Sequence, residues 1–219
     1  MRRTLVIGDI HGCLDELLLL LELFKPGSED RVVAVGDLTV KGPKSREVLD
    51  LFMTQPQFSS VTGNHDYALV KHFRSGHKLK SSQAKVFDEL KTADDRYLRF
   101  LEALPFVINL GTHVVVHAGL RPGIRLEDQN EDDLTELRTL GADRTDRTGT
   151  SWYAEYEGPT PVLFGHWPSA QLRQGPFAIG IDSGCVYGYE LTGYVIESGE
   201  LLKVHALRAY DPSVTNVQS

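Results

Sequence analysis

The chain has 219 residues, 41% of them hydrophobic and 24% charged, and a formal net charge of −7. This is ordinary for one soluble globular domain, and the acidic balance disfavours binding to duplex nucleic acid. The longest purely apolar run covers residues 17–21, against roughly 20 residues in a membrane-spanning helix. Cys13 and Cys185 show no CxxC spacing, which argues against a disulfide framework or a thiolate zinc site. We expect a single domain over residues 1–219, in the cytoplasm and without a membrane partner.

The first third of the chain alternates between strand-like and helix-like segments. Strands are predicted at Thr4–Ile7, Arg31–Val35 and Ser59–Thr62, and helices at Leu14–Phe24 and Ser45–Met53. Because a helix lies between successive strands, this order predicts parallel strands with right-handed crossovers.

The rest of the chain follows a different pattern. Residues from about 67 to 104 lack a strand-like period and are predicted as a helical insertion with breaks at Gly76 and Thr92-Ala93. Two strands, Phe106–Leu110 and His113–Val116, flank a short connection typical of a hairpin. The remaining predicted elements are a short helix and four strands, at Asp132–Leu140, Val162–Phe164, Phe177–Ile181, Leu191–Ile196 and Leu201–Ala206. The last two strands are expected to pair as a hairpin, and the tail from about residue 211 to be loose.

Side chains of metal-binding type follow five of the predicted strands. The motifs are Gly8-Asp9-Ile10-His11-Gly12, Gly36-Asp37, Gly63-Asn64-His65-Asp66, His117-Ala118-Gly119 and Gly165-His166. Each motif alone fits an ordinary turn or a structural histidine, but together they predict one site, since ligands bind beyond the carboxyl ends of such strands. Imidazole, carboxylate and amide donors suit manganese, iron, cobalt or zinc. The donors suffice for two ions, which in phosphoryl chemistry lie roughly 3.5–4 Å apart and activate an attacking water.

In order and residue type, the five motifs resemble those of the calcineurin-like metallophosphoesterases. Within that family, the sequence Asp182-Ser183-Gly184-Cys185-Val186-Tyr187-Gly188 resembles the phosphoprotein phosphatase branch and the bacterial symmetrical diadenosine tetraphosphatases. The resemblance implies an α/β fold with a mixed β-sandwich core flanked by helices. It also implies two divalent metal ions, manganese ahead of iron, cobalt or zinc.

The resemblance further implies a role for each motif residue. The first metal would be held by Asp9, His11 and Asp37. The second would be held by the bridging Asp37 together with Asn64, His117 and His166. His65 would be the general acid that protonates the leaving oxygen, so that His65 and Asp37 are the catalytic candidates.

The second motif departs from the phosphoprotein phosphatase pattern GDxVDRG. Val40 stands where an aspartate supports the catalytic histidine, and Lys41 stands where an arginine binds phosphate. The ending Lys41-Gly42-Pro43, and Asp66 in GNHD, resemble the ApaH-like phosphatase subgroup. Lysine neutralises phosphate but lacks the bidentate geometry of arginine. We expect a low pKa for His65 unless Asp66 or another acid substitutes, and an unchanged pH–rate profile in Val40→Asp would contradict this idea.

Further supporting residues are expected around the site. Arg138 lies in a segment that resembles the source of a second substrate-binding arginine, with an ordinary helix-surface position as the alternative and Arg121 as a weaker candidate. Asp182 is expected to orient a site histidine.

A basic stretch lies between Asp66 and Asp88, where no acidic residue occurs. It is either a solvated face or, in part, a patch for a polyanionic substrate. Tyr67 and Phe73 within it are expected either to stack a base or to belong to a helix core. The basic residues concerned are Lys71, Arg74, Lys78, Lys80 and Lys85.

These features favour a dinuclear metal-dependent phosphohydrolase that cleaves phosphoanhydride bonds of nucleoside polyphosphates such as diadenosine tetraphosphate, by in-line attack of a metal-bridging hydroxide. The partner would be a small phosphorylated substrate. A phosphoprotein phosphatase and an inorganic polyphosphate hydrolase are alternatives that use the same chemistry. A non-catalytic binding protein with this fold is disfavoured because every expected ligand and His65 are present.

Overall fold

A computed structural model describes residues 2–213 and contains two five-stranded β-sheets. The strands of the first sheet are β1 (Thr4–Ile7), β2 (Arg31–Ala34), β3 (Phe58–Ser60), β9 (Glu190–Val195) and β10 (Glu200–His205). Their order is β10-β9-β1-β2-β3, with β1, β2 and β3 parallel and β9 antiparallel to both of its neighbours. The crossover helices α1 (Leu14–Phe24) and α2 (Ser45–Thr54) connect the parallel strands, as predicted from the sequence.

The second sheet is built from the strands β4 (Val107–Asn109), β5 (Val114–Val116), β6 (Val162–Phe164), β7 (Arg173–Gln174) and β8 (Ala178–Gly180). Their order is β4-β5-β6-β8-β7. The central strands β5, β6 and β8 are parallel, and the edge strands β4 and β7 are antiparallel to their neighbours. Both sheets are therefore mixed, and in both the central parallel strands end on polar motifs.

Three helices follow β3, namely α3 (Asn64–Ser75), α4 (Ser81–Ala93) and α5 (Arg96–Glu102), and a short helix α6 (Glu131–Glu136) follows β5. Short 3-10 helices lie at Leu126–Asp128, Trp152–Ala154 and Cys185–Tyr187. Within the described part of the chain, no helix combines the length and the apolar character needed to cross a membrane.

The side chains of β1 alternate between two apolar clusters, as the period of a strand requires. Leu5 and Ile7 pack against the helices on one face of the first sheet. Val6 points to the other face, where it packs with Val115 and Leu163 of the second sheet. The core therefore has a layer between the sheets and a layer under the helices, and the far face of the second sheet is covered by a third cluster that includes Trp152. This is the mixed β-sandwich flanked by helices that the sequence predicted.

Several elements differ from the sequence-based predictions. Helix α3 begins at Asn64 rather than at Tyr67, so the third motif lies on the first turn of a helix. Both predicted hairpins are present, as β4 with β5 and β9 with β10. No pairing was predicted for β6 and β8, which lie parallel to each other and to β5, because the long connections between these strands allow crossovers. The final hairpin joins the first sheet, and β7 was not predicted because it has two residues. The predicted tail from residue 211 lies mostly outside the described residues.

Candidate metal centre

The parallel strands of both sheets end at one cavity of about 340 Å³. Asp9 and Asp37 follow β1 and β2, His166 follows β6, and Asn64 opens α3. The cavity is lined in addition by His11 and His65, and the fully buried His117 follows β5 and lies against Asn64. The structure thus brings together all six predicted metal ligands and the predicted catalytic histidine.

The backbone at three of these residues is in the left-handed region. The φ angles are +49° at His11, +48° at Asp37 and +67° at His166. Non-glycine residues rarely adopt this conformation, and it persists only where the surroundings fix it, which is common at functional sites. Hydrogen bonds do so here, from His11 N to Asp37 O at 2.7 Å and from His166 N to Asp9 Oδ1 at 3.1 Å.

At two positions of the motifs only glycine fits, because an aspartate from another strand end lies too close for a side chain. A Cβ atom at Gly63 would overlap Asp37, and one at Gly165 would overlap Asp9. The glycine that precedes a ligand in these motifs therefore makes room for a carboxylate that comes from another strand end.

Asp37 lies between two groups of potential ligand atoms. Its carboxylate is 3.4 Å from His11 Nε2 and 3.6 Å from His117 Nε2. The ligand atoms of Asp9, Asp37 and His117 lie within 4.8 Å of one another, and so do those of His11, Asp37 and His65. Asp37 belongs to both groups, although the groups cut across the two predicted ligand sets, since His65 is in one and Asp9 is with His117 in the other.

The histidine rings are oriented by backbone carbonyls. His11 Nδ1 lies 3.1 Å from Thr39 O, and His117 Nδ1 lies 2.8 Å from Val35 O. A carbonyl only accepts, so Nδ1 donates and Nε2 keeps its lone pair. That nitrogen lies 3.0 Å from Lys41 Nζ in His11 and 3.0 Å from Asn64 Oδ1 in His117. Asp182, which was expected to orient a site histidine, lines the same cavity, and its Oδ1 accepts the backbone N–H of Gly184 at 3.0 Å.

Two buried nitrogens of residues that line the cavity have no hydrogen-bond partner within residues 2–213. One is Nε of Arg138, and the other is Nε2 of the predicted ligand His166, whose Nδ1 lies 3.0 Å from Asn64 Oδ1. An unpaired buried polar atom is costly, and metal coordination would satisfy the histidine nitrogen. The donor set therefore fits divalent ions of the kind bound by mixed nitrogen and oxygen ligands.

The buried carboxylates of the cavity also favour the binding of cations. Burial raises the pKa of Asp37 to about 6 and that of Asp182 to about 6. The pKa of Asp9 is raised well above its ordinary value, by burial first and then by the charges of Asp182 and Asp37. Burial lowers the pKa of Lys41, but Tyr187 and Asp37 more than offset this and raise it on balance. A cluster of buried carboxylates of this kind is stabilised when divalent ions bind.

The predicted substrate-binding residues both line the cavity. Lys41 Nζ lies 3.0 Å from His11 Nε2 and 2.8 Å from the hydroxyl of Tyr187. Arg138 lies beyond the end of α6 rather than on the helix surface, and its Nη1 donates to Thr145 O at 3.1 Å. Burial, followed by the nearby charge of Arg147, lowers the pKa of Arg138. Arg121 is instead engaged with both carboxylate oxygens of Asp133.

Sequence reasoning assigned no site role to six residues that line the cavity, namely Ser82, Arg147, Pro168, Tyr187, Asp211 and Ser213. Lys80 also lines it and was predicted only as one cation of the basic stretch. Tyr67 and Phe73 do not stack in the cavity, because the Tyr67 hydroxyl bonds to Glu131 and Phe73 packs against the helical core.

In the part of the chain that the structure describes, neither Asp66 nor the side chain at position 40 has a hydrogen bond to the His65 ring. The carboxylate of Asp66 accepts hydrogen bonds from Leu38 N at 3.0 Å and from Thr39 N and Oγ1 at 3.1 and 2.6 Å. Val40 is fully buried in the apolar cluster under the helices. An aspartate at position 40 would therefore introduce a carboxylate into this apolar cluster, so Val40→Asp is a poor test of how His65 is supported.

A second group of potential metal ligands lies apart from the cavity. Cys13, Glu16 and Cys185 are buried with their ligand atoms within 4.8 Å of one another. Glu16 Oε1 accepts hydrogen bonds from Leu207 N and from the Tyr210 hydroxyl, each at 2.9 Å. Glu16 therefore anchors the segment that follows β10.

The sandwich fold, the strand-end ligands and the acidic cavity together define a metal-dependent hydrolase of the phosphoesterase type. Residues 2–205 match the calcineurin-like phosphoesterase family, and the chain belongs to that family. The family uses a dinuclear centre of divalent metal ions. The resemblance drawn from the five motifs is thereby confirmed.

Several known proteins are similar to this chain over more than nine-tenths of its length. The chain is 31% identical to the asymmetrical bis(5'-nucleosyl)-tetraphosphatase PrpE of Bacillus velezensis, over 95% of this chain and 94% of that one. It is 29% identical to a symmetrical bis(5'-nucleosyl)-tetraphosphatase of Aromatoleum aromaticum, over 91% and 96% of the two chains. A crystal structure provisionally assigned as a diadenosine tetraphosphatase is 34% identical, covers 93% of each chain and superposes with a TM-score of 0.82.

Loading with manganese should raise the melting temperature of the metal-free protein. Ions at roughly 100 times their dissociation constant add about 2.7 kcal/mol of stability, or about 5–10 °C for a chain of this size. Calorimetry with chelator and then with excess manganese measures the shift. His166→Ala should lose most of it, because that ring contributes a ligand and leaves fewer donors. An equal shift in His166→Ala would place the bound metal elsewhere.

Proposed function

We propose that the protein hydrolyses phosphoanhydride bonds of nucleoside polyphosphates such as diadenosine tetraphosphate. The observation that carries this proposal is the cationic wall of the cavity. Besides the expected metal ligands, the cavity is lined by Lys41, Lys80, Arg138 and Arg147. Four cations and two divalent ions suit a chain of several phosphates better than a single phosphate ester.

The metal ligands in this proposal are those expected from the family motifs. Asp9, His11 and Asp37 would hold one ion, and Asp37, Asn64, His117 and His166 the other, with manganese as the metal. Bound ions of this kind lower the pKa of water and neutralise charge that develops on phosphoryl oxygens. Lys41 and Arg138 would hold the phosphates, and His65 would act on the leaving oxygen.

The names of the relatives support the same substrate class. Proteins similar to this chain over more than nine-tenths of its length are described as tetraphosphatases, some symmetrical and some asymmetrical in their cleavage. The position of the cut within the polyphosphate is therefore a property for experiment. We further propose that residues 1–219 form one domain that acts in the cytoplasm on small phosphorylated substrates.

A single assay separates the candidate substrates. Diadenosine tetraphosphate, a phosphoserine peptide and inorganic polyphosphate are compared at equal enzyme and manganese concentrations, with products resolved by chromatography. We expect the highest kcat/KM for the dinucleotide. Turnover of the phosphopeptide alone would refute the proposed substrate class while leaving the metal chemistry intact.

Neutralising Lys80 should weaken the binding of polyphosphate substrates. Lys80→Met removes one charge from the wall, so we expect the KM for diadenosine tetraphosphate to rise about tenfold, the equivalent of about 1.4 kcal/mol. The KM for p-nitrophenyl phosphate, which has a single phosphate, should change less. Lys78→Met is the matched control, since Lys78 is exposed and does not line the cavity. Equal effects of the two substitutions would exclude a specific role for Lys80.

A further inference from the structure

We infer that Gln83 fixes the proton of His65 on Nε2, and that the site is thereby adapted to a phosphate leaving group rather than an alkoxide. This inference rests on the proposed function, because it requires His65 to act on the leaving oxygen. It concerns a residue of α4 that belongs to none of the five motifs.

The Gln83 side chain is 95% buried and its two ends have different partners. Its Oε1 accepts the backbone N–H of Lys80 at 2.9 Å, which closes the first turn of α4. Its Nε2 lies 3.5 Å from Nδ1 of His65. Since the oxygen is committed to Lys80 N, the amide cannot turn round without losing the hydrogen bond at the start of the helix.

This arrangement determines which nitrogen of His65 carries the proton. An amide nitrogen only donates, so Nδ1 of His65 must accept. The ring proton is then on Nε2, the nitrogen left for the cavity that His65 lines. A neutral imidazole has one N–H, so in this geometry Nδ1 accepts from Gln83 and Nε2 is the donor of the ring.

Within residues 2–213, two acids near His65 are otherwise engaged. The carboxylate of Asp37 accepts the backbone N–H of His65 at 2.9 Å. The neighbouring cationic groups are Lys41, Lys80 and His117, and the His11 ring lies edge-on with its centroid 5.2 Å away. The carboxylate of Asp66 accepts hydrogen bonds from Leu38 N, Thr39 N and the Thr39 hydroxyl, in the loop that follows β2. An amide donor thus stands where a supporting carboxylate would otherwise be needed.

The chemical consequence concerns the bond that breaks. With its proton on Nε2, His65 donates a hydrogen bond to the leaving oxygen, and no proton leaves the ring. A hydroxide oxygen forms the new bond to phosphorus as the phosphorus–oxygen bond to the leaving group breaks, and the electron pair of the broken bond goes to the leaving oxygen. A phosphate oxygen, whose second pKa is about 6, can leave in this way. A serine or threonine alkoxide is a far stronger base and needs full protonation as it leaves.

Gln83→Glu provides a gain-of-function test. A glutamate can still accept from Lys80 N while its second oxygen accepts a proton on Nδ1 of His65. The ring can then carry two protons, transfer the Nε2 proton to the leaving oxygen and remain neutral with its proton on Nδ1. We expect rates with alkyl and phenyl phosphates to rise about 10-fold or more relative to diadenosine tetraphosphate, within the range known for general acids and their partners.

Gln83→Met, which loses both hydrogen bonds, tests whether the effect passes through His65. We expect kcat for diadenosine tetraphosphate to fall about 10- to 100-fold. In a His65→Ala background the same substitution should change kcat less than about twofold, because residues that act as a unit are not additive. Lys85→Met, at an exposed position of α4 outside the cavity, is the control for nonspecific effects on the helix.

Nitrogen-15 NMR of the zinc-loaded protein observes the ring directly. The wild type should show an unprotonated Nδ1 and a protonated Nε2 at His65, and Gln83→Glu should show a protonated Nδ1. A protonated Nδ1 in the wild type, or an equal loss from Gln83→Met with and without His65, would overturn the inference but not the metal centre. If His65→Ala left every rate unchanged, both this inference and the proposed role of His65 would fail.

Discussion

Asp37→Asn should lose nearly all phosphohydrolase activity and at least one metal ion. Asp37 is the residue proposed to bridge the two ions, and it belongs to both groups of potential ligand atoms, so removing its charge should affect both ions. Loss of a residue that only supports a ligand costs about 10- to 100-fold, and loss of the bridge should exceed that range. Asparagine tolerates a φ of +48° better than most residues, and its side-chain oxygen can still accept from His65 N. We therefore expect a folded and inactive variant.

The measurement combines metal content by mass spectrometry with turnover of p-nitrophenyl phosphate in manganese. Asp30→Asn is the matched control, because Asp30 is also a buried carboxylate but pairs with Arg3 away from the cavity. It should keep two ions and full activity. Retention of two ions and normal turnover in Asp37→Asn would remove the basis for a bridging role.

His65→Ala should lower kcat for diadenosine tetraphosphate by about 100-fold, the lower end of the range for loss of a group that assists a leaving oxygen. The reduction stays at that end because a phosphate leaving group needs little help. KM should change little, since the residues proposed to hold the phosphates are Lys41, Lys80 and Arg138, which also line the cavity. Steady-state kinetics with the dinucleotide and with p-nitrophenyl phosphate measure both constants. A large rise in KM with an unchanged kcat would identify His65 as a binding residue instead.

Burial and the charges of Lys41, His117 and Lys80 lower the pKa of His65 well below its ordinary value. In the metal-free protein the ring is therefore neutral at pH 7. This agrees with the low pKa expected from the missing carboxylate at Val40, although burial is the larger cause. Comparing the pH–rate profile of the wild type with that of Gln83→Glu separates the effect of burial on the pKa of His65 from the effect of the missing carboxylate.

The candidate metal centre was predictable because its residues directly follow the ends of strands. A strand that ends in Gly-Asp or Gly-His specifies both the direction of the side chain and the tight backbone that aims it. The parallel order of β1, β2 and β3 then brings Asp9, Asp37 and Asn64 to one edge. Local sequence and general topology were sufficient for this part of the site.

The support of His65 was not predictable in the same way. Gln83 lies 18 residues from His65 along the chain and contacts it only because α3 and α4 pack against each other. The way in which two helices pack against each other is not encoded in a local sequence motif. For the same reason Lys80 and Arg147 could not be told apart from solvent-exposed cations before the structure placed them at the cavity.

The strand order of the second sheet also could not be predicted from the sequence. The segments after β5 have few residues per strand, and β6, β7 and β8 have three, two and three. Strands of this length carry no readable alternation. Their pairing is decided by which apolar faces meet between the sheets.

The central claim is that the strand-end ligands hold two divalent ions around Asp37. Anomalous diffraction from crystals grown with manganese tests it most directly. We predict two peaks roughly 3.5–4 Å apart, both within coordination distance of Asp37, one near Asp9 and His11 and the other near Asn64, His117 and His166. A single peak away from Asp37, or manganese bound only at Cys13, Glu16 and Cys185, would contradict it.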